Sequence, residues 1–528
     1  MRLQPFFTEA PYASALCTEL LLERCSGCFE VPSVQRKCQC GKVVYCSEKC
    51  LTSDRPWHEC ECIAFRNNPR PRSKTSELDV RLLGRLLRRY QVDHGSAVLT
   101  SSGFPNDLVK NRCLNDMMSH ERDYAKSSSF EQQTTSMLKI FYSFFKSTPL
   151  ESLKRDVVKR WNCAASINGF SVTAMLNEGS PETLAYFGEA VYLNASRFNH
   201  SCKPSLLFGF KGSHIVVKYV DYDSGSKGAK VFSKKELKAL TFNYGFSTYW
   251  NYGCTFSTTS QRIESLQSRY FFRCRCELCR DKVRDTTQLD SSVIECPSCG
   301  MPYVWKTRKQ SKKAKLTKNC RCPLSREIAD DGHWCKEIDV RETAKSLNKV
   351  WKETMEFAHT KDDYQLVINK CYATRTLLEQ YWSPTRNVRL SQLCEKEFEA
   401  YWKKLHALRR RQNSKTGSVT EEDFQEALTA AIQIGEKMMV PYLYFSEPYS
   451  LGVAVLCQRI AWLCQLSSTE AERGIKYCMI ASNIWMLQGE PKCQKYFDEI
   501  AARLQTKASD VQEGSESKTG EMVTVTAQ

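Results

Sequence analysis

Between residues 25 and 62 the chain reads CSGC at 25–28, CQC at 38–40, CSEKC at 46–50 and HECEC at 58–62, with no long apolar run among them. A segment of 38 residues so rich in Cys and Lys cannot bury enough apolar surface to hold itself together. Zinc takes four tetrahedral sulfur or nitrogen ligands, and a knuckle two or three residues long lets two of them reach one ion. Eight ligands at such spacing predict two zinc ions, whose binding supplies the folding free energy of the segment.

The other cysteines divide by position. All 27 belong to a chain whose start, MRLQPFFTEAPYAS, lacks the apolar core of a signal peptide. No stretch approaches the roughly 18 uncharged apolar residues of a membrane helix. The expectation is a soluble intracellular protein, without a membrane role, in a reducing compartment where clustered cysteines bind metal rather than pair as disulfides. The run CRCELC places Cys274, Cys276 and Cys279 at ligand spacing without a fourth donor nearby. It is either three ordinary surface cysteines or a zinc site completed from elsewhere in the chain. Further on, CPSCG with CRC has ribbon-like spacing, which predicts another zinc held by Cys296, Cys299, Cys320 and Cys322, with His333 or Cys335 as substitutes. The cysteines from Cys371 to Cys493 are scattered through helical segments and read as core filler.

At 528 residues the chain exceeds one compact core and predicts three or four domains. IAFRNNPRPRSKT, from 63 to 75, reads as a polar connector. Helical periodicity follows from about 76 to 160, with Leu78, Leu82, Leu83, Leu86 and Leu87 first and Met137, Ile140, Phe141, Phe144 and Phe145 later. From 161 to 245 short apolar runs broken by Gly, Asn and Ser, such as INGFSV, SLLFGF, HIVVKYV and LTFNYGF, predict strands. After 340 the pattern is helical again to about 506, and the last stretch lacks core-forming residues and is expected to be disordered. Lys and Arg number 76 against 59 Asp and Glu, a basic excess that favours nucleic acid or other acidic partners. The run KTRKQSKKAKLTK at 306–318 is a nuclear import signal, a nucleic-acid contact or a solvated loop.

Taken in order, the cysteine-rich segment, the helical stretch, INGFSV, RFNHSCKPS, ELKALTFNYGF and RYFFRCRCELC, and then a helical end form a specific succession. It resembles the SET and MYND domain (SMYD) protein-lysine methyltransferases over nearly the whole chain. The resemblance implies an α+β fold: a β-rich SET core with an inserted MYND zinc finger, a helical insert, a post-SET zinc site and an α-helical, tetratricopeptide-like C-terminal lobe. The expected divisions are a partial N-terminal SET segment at 1–24, the finger at 25–62, the insert at 63–160, the SET core at 161–245, the post-SET segment at 246–284, a zinc-ribbon insert at 285–340, the lobe at 341–508 and a tail at 509–528.

In such fingers alternating pairs serve two ions, which implies Cys25, Cys28, Cys46 and Cys50 for one and Cys38, Cys40, His58 and Cys62 for the other. The spacing departs from the family's form twice, because Cys38 and Cys40 are separated by one residue rather than two and Cys60 adds a spare thiol. The resemblance also supplies Cys202 as the fourth ligand with Cys274, Cys276 and Cys279, making three zinc ions, with the ribbon as a fourth. It implies S-adenosylmethionine as cofactor, with Asn168 at its methionine end, Asn199 and His200 along it and Phe272 near the adenine. Tyr244 would stand beside the transferred methyl and Tyr270 would line the lysine channel.

The chemistry so implied is in-line transfer of a methyl from a sulfonium to a neutral amine, on a histone or non-histone protein substrate. Lysine must enter deprotonated, in a desolvated channel that aims it. The cofactor carries the reactive group, so no acid, metal or covalent nucleophile is required. The resemblance further implies proline-containing peptide ligands for the finger. A monomer, placed in nucleus and cytoplasm, is the expectation. Only 24 residues precede Cys25, and the glycine-rich cofactor loop usual before the finger is not among them; Gly-Phe follows Tyr244 where an acidic residue often sits nearby. The alternative is therefore a catalytically weak or inactive zinc-organised interaction scaffold.

Overall fold

A computed structural model describes residues 5–67, 74–99, 111–174, 185–202, 204, 206–219, 259–281, 294, 303–304, 325–329, 332–335, 337–382, 387–414, 420–445, 450–467, 469–488 and 496–506. The chain divides into two compact units, drawn mainly from Met1–Thr248 and from Arg275–Ile484. The mixture of helices and small sheets is α+β, as expected.

In the first unit, two short strands ahead of the cysteine-rich segment each join a different sheet. β1 (Pro5–Glu9) pairs antiparallel with β8 (His214–Tyr219), which pairs with β7 (Leu206–Lys211). β2 (Ala13–Leu16) pairs with β6 (Ala185–Val191), which pairs with β5 (Gly169–Ala174). The residues between β2 and β5 are thus an insertion whose two ends are tied by strand pairing. Among its described residues lie the short hairpin β3 (Arg36–Lys37) and β4 (Val44–Tyr45) and five α-helices. These are α1 (Glu48–Asn67), α2 (Lys74–Asp93), α3 (Glu121–Tyr124), α4 (Ser128–Phe144) and α5 (Arg155–Asn168).

Periodicity explains how these helices pack. Leu78, Leu82, Leu83, Leu86 and Leu87 of α2 bury against Leu138 and Phe141 of α4, Phe145, and Val158 and Trp161 of α5. Ile140 departs from the expected face: it is 38% exposed, whereas Met137 and Phe144 pack partly against the core. A Cβ on Gly84 would overlap the Phe145 ring, so the missing side chain is what lets α2 and the end of α4 approach.

Two local expectations are corrected. The connector expected from 63 is helical to Asn67, because Ala64 and Phe65 bury on the inner side of α1. The strands expected from 161 begin only at Gly169; residues 161–168 finish α5, where Trp161 and Ala164 follow Val158 at helical spacing into the core. A further helix, α6 (Thr259–Tyr270), precedes the CRCELC run, and Phe271 with φ of 60° turns the chain out of it. The single helical turn α7 (Glu277–Arg280) follows.

Next come three strands, β9 (Tyr303–Val304), β10 (Ser325–Ala329) and β11 (Gly332–Cys335), in one sheet of order β10-β11-β9. From residue 337 the described chain is helical. α8 (Glu337–Thr360), α9 (Tyr364–Leu378), α10 (Val388–Ser414), α11 (Glu421–Phe445) and α12 (Leu451–Leu466) pack each against the next, followed by α13 (Ala471–Gln488) and a helix over 496–506. Asp363 caps α9 by accepting from the Gln365 and Leu366 amides, and Ser450 caps α12 by accepting from Val453. Cys371, Cys394, Cys457, Cys464 and Cys478 are buried in these helices, the packing role expected of them; Cys493 lies outside the described residues. Among the described residues no helix is long and apolar enough to cross a membrane.

Candidate metal centres and the loop beside them

The first quartet is Cys25, Cys28, Cys46 and Cys50, whose sulfurs all lie within 4.8 Å of one another. Its first knuckle is closed by the Phe29 amide donating to the Cys25 carbonyl, with Phe29 at φ 67°. Its second pair is positioned by the start of α1. Ser47 caps that helix, its Oγ accepting from the Cys50 amide at 3.2 Å, so Cys46 and Cys50 stand one turn apart. The Cys28 to Cys46 and Cys46 to Cys50 sulfur distances are both 3.6 Å. Four sulfurs about 2.3 Å from a zinc ion stand about 3.8 Å apart along a tetrahedron's edges, so the quartet fits zinc.

The second quartet is Cys38, Cys40, His58 and Cys62. Gly41, at φ 67°, turns the chain behind Cys40, and its amide closes the knuckle on the Cys38 carbonyl. His58 and Cys62 sit four residues apart on one face of α1. The Cys38 to Cys62 sulfur distance is 3.6 Å, and His58 Nε2 lies 3.5 Å from Cys40 Sγ, again the edges of a metal tetrahedron. The spare Cys60, two residues or about 200° round the helix from His58 and Cys62, packs instead into the apolar core with Ala64. Burial pushes its thiol up to about 11. Within the quartets the knuckle thiols divide, because a hydrogen bond that favours one partner's thiolate disfavours the other's: Cys28 and Cys40 are pushed up and their partners Cys25 and Cys38 are held down. The hydrogen bond from Cys28 holds Cys25 down to about 5, and that from Cys40, aided by His58, holds Cys38 down to about 3. Thiolates are the form a metal binds.

Behind the two quartets lies a buried charged network that the spacing of the cysteines did not reveal. Its signals were Asp54, His58 and Glu61 on one face of α1 and Arg81 and Arg85 four apart on α2. His58 Nδ1 donates to Glu61 Oε2 at 2.6 Å. Burial alone would raise the Glu61 carboxyl, but Arg85 and then Arg81 hold it well below the usual carboxylate range.

The third quartet joins Cys202 to Cys274, Cys276 and Cys279. Cys202 Sγ is 3.9 Å from Cys274 Sγ, and the Cys276 carbonyl accepts from the Cys279 amide to close the knuckle at α7. His200 Nε2 lies 3.2 Å from Cys202 Sγ, and its ring tilts against that of Phe272 with centroids 5.9 Å apart. Asn199 beside it is exposed. Tyr270 ends α6 half-buried, and burial raises its phenol above the ordinary value. Asn168 ends α5, where its Nδ2 donates to the carbonyls of Met118 at 3.1 Å and Ala164 at 2.8 Å. Tyr244, Cys296, Cys299, Cys320, Cys322, the 306–318 run and the 509–528 tail lie outside the described residues, as do the side chains of His333 and Cys335.

No family model matches the chain. It is similar to the N-lysine methyltransferase SMYD2-A of Danio rerio, 25% identical over 285 residues that cover 53% of this chain and 55% of that protein. It is also similar to the N-lysine methyltransferase SMYD2 of Gallus gallus, 25% identical over 295 residues, 55% of this chain and 58% of that one. The SMYD2 of Homo sapiens is 25% identical over 305 residues, 56% of this chain and 60% of the human protein. The chain spans a little over half the length of the curated relatives it matches. The resemblance to SMYD methyltransferases read from the motifs is met by these relatives, and the first two quartets fit a MYND finger.

Proposed function

We propose that the chain is a protein-lysine N-methyltransferase that takes its methyl from S-adenosylmethionine and acts on a histone or non-histone protein. The observation that carries this reading is the meeting of the NHSC loop with the downstream thiols, Cys202 beside Cys274 and His200 against Phe272, in a chain similar to named lysine methyltransferases. The SET core, from which these residues come, is part of the same proposal. When bound, the cofactor supplies a methyl carried on a sulfonium.

The residues present suit such a group. The His200 and Phe272 rings together offer an aromatic wall for a purine. Both N–H groups of the Asn168 amide are already given to carbonyls, so what that side chain has left to offer is its Oδ1, an acceptor for the ammonium at a methionine end. Tyr270 stays a neutral phenol at neutral pH, and its ring would wall the channel that strips water from the arriving lysine. Tyr244, assigned by its motif, would orient the amine with its hydroxyl. Asn168, His200 and Phe272 would hold the cofactor, which would supply an electrophilic methyl, and Tyr244 and Tyr270 would keep the unprotonated lysine amine aimed at it.

The relatives do not favour the scaffold alternative. The test is direct. Purified protein should be stabilised against heat by the cofactor and should transfer labelled methyl to histones or lysate proteins. Tyr244→Phe should lower turnover on the order of 100-fold through misplacement of the amine, while keeping the thermal stabilisation. Neither stabilisation nor transfer in the parent protein would defeat the reading.

A further inference from the structure

We propose that Glu61 is the positioning residue of the second zinc site, and that Arg81 and Arg85 of α2 complete that site from outside the finger. Either nitrogen of an imidazole can bind a metal, and the hydrogen bond made by the other decides which one does. Glu61 Oε2 accepts from His58 Nδ1 at 2.6 Å, which commits the proton to Nδ1 and turns Nε2, with its lone pair, toward Cys40 at 3.5 Å. Glu61 is itself 1% exposed, and a buried carboxylate is costly unless paired.

Both partners come from α2. Arg81 Nε donates to Glu61 Oε1 at 2.5 Å, and Arg85 Nε donates to Oε2 at 2.9 Å. Arg81 is fully buried and Arg85 is 3% exposed. Arg85 also reaches Asp54 Oδ1 at 2.8 Å and Ser26 Oγ at 2.9 Å, and Asp54 accepts from Tyr45 at 2.9 Å. Two guanidinium groups therefore meet two carboxylates in the interior, each charge paired by bonds that only the docked helix supplies. A zinc ion with three thiolates and one imidazole carries a net negative charge, so the two arginines matter by keeping the two carboxylates one layer further out from adding to it. The finger accordingly holds its second ion fully only when α2 is in place, and α2 is held in part by that ion through reciprocal linkage. This inference concerns metal retention alone and stands apart from methyl transfer.

The experiment uses the full zinc-loaded chain, exposed to a chelator and a thiol-alkylating reagent, with the modified cysteines mapped by mass spectrometry over time. In Glu61→Gln the thiols of Cys38, Cys40 and Cys62 should become reactive about 10- to 100-fold faster, the usual effect of losing such an outer partner. Those of Cys25, Cys28, Cys46 and Cys50 should keep the parent rate. Arg81→Met should change the same three thiols in the same direction. Parent rates at all seven thiols, or equal acceleration in both quartets, would overturn the assignment. The reciprocal arm needs no change in the charged network: in Cys62→Ser, amide exchange in α2 around 81–89 should quicken, and unchanged exchange there would overturn the coupling.

Discussion

Glu9 shows how much rests on one side chain in this protein. It is 1% exposed, and its two carboxylate oxygens accept from the amides of Asn194 and Ala195, each at 2.8 Å, at the start of the turn that leads into RFNHSC. Glu9→Gln puts an amide N–H against one of those donors, and an unmet buried donor costs about 1–3 kcal/mol, measured as a loss in urea midpoint. Its pH dependence is equally specific. Burial pushes the Glu9 carboxyl up to about 7, against the pull of the Asn194 and Ala195 amides. The folded chain then keeps a proton, above pH 4.5 and up to about 7, that the unfolded chain has released. This contribution to stability is full below the unfolded value and lost as pH rises through the folded one. The parent protein should lose more stability than Glu9→Gln between about pH 5 and about pH 8, and parallel profiles would show that Glu9 is not the titrating group. None of this was legible in FTEAPYAS, because a carboxylate among apolar neighbours looks like a solvated one until strand pairing places it inside. The ligand cysteines were legible, because knuckle spacing is local and a metal accepts few donor types.

Among the elements, the β7–β8 turn illustrates a close approach that spacing could not announce. Gly212 has φ of 58°, and a Cβ there would overlap the Cys28 carbonyl. Next to it, the Ser213 amide donates to that same carbonyl at 2.9 Å, and Tyr192 Oη donates to the Ser213 carbonyl at 2.6 Å. The turn therefore presses on the first zinc knuckle. Gly41 has a similar φ of 67° with nothing near its missing side chain. Gly41→Ala should cost about 1 kcal/mol from backbone strain alone, whereas Gly212→Ala should cost more and also speed alkylation of Cys28; equal effects would show that the contact with the knuckle is immaterial. Helical periodicity made α2 and α4 readable, since their apolar stripes repeat over several turns. It failed at 161–168, where INGFSV begins as the last residues of α5, and at α6, whose sequence TSQRIESLQSRY carries too few apolar positions to declare a face.

Over the whole molecule, metal and apolar burial divide the work. Among the described residues every quartet lies before 280, while the helices from 337 have an apolar core of their own, including Leu347, Ile368, Cys371, Trp382 and Leu393. They also hold a buried bidentate pair, Arg375 with Glu397, at 2.6 and 3.1 Å. Chelating the zinc should lower one thermal transition and leave a second, helical one in place, as followed by calorimetry and circular dichroism. A single transition that moves as a whole would contradict this division. By itself the sequence determined the ligand types, the knuckles and the strongest helical stripes, because each is written in residues a few positions apart. Tertiary structure decided which thiol on α1 faces metal and which faces core, that Glu61, Arg81 and Arg85 stand behind His58, and that residues 5–16 give an edge strand to each of two sheets. These are meetings of segments far apart along the chain, and packing chooses among many such partners that local spacing cannot tell apart.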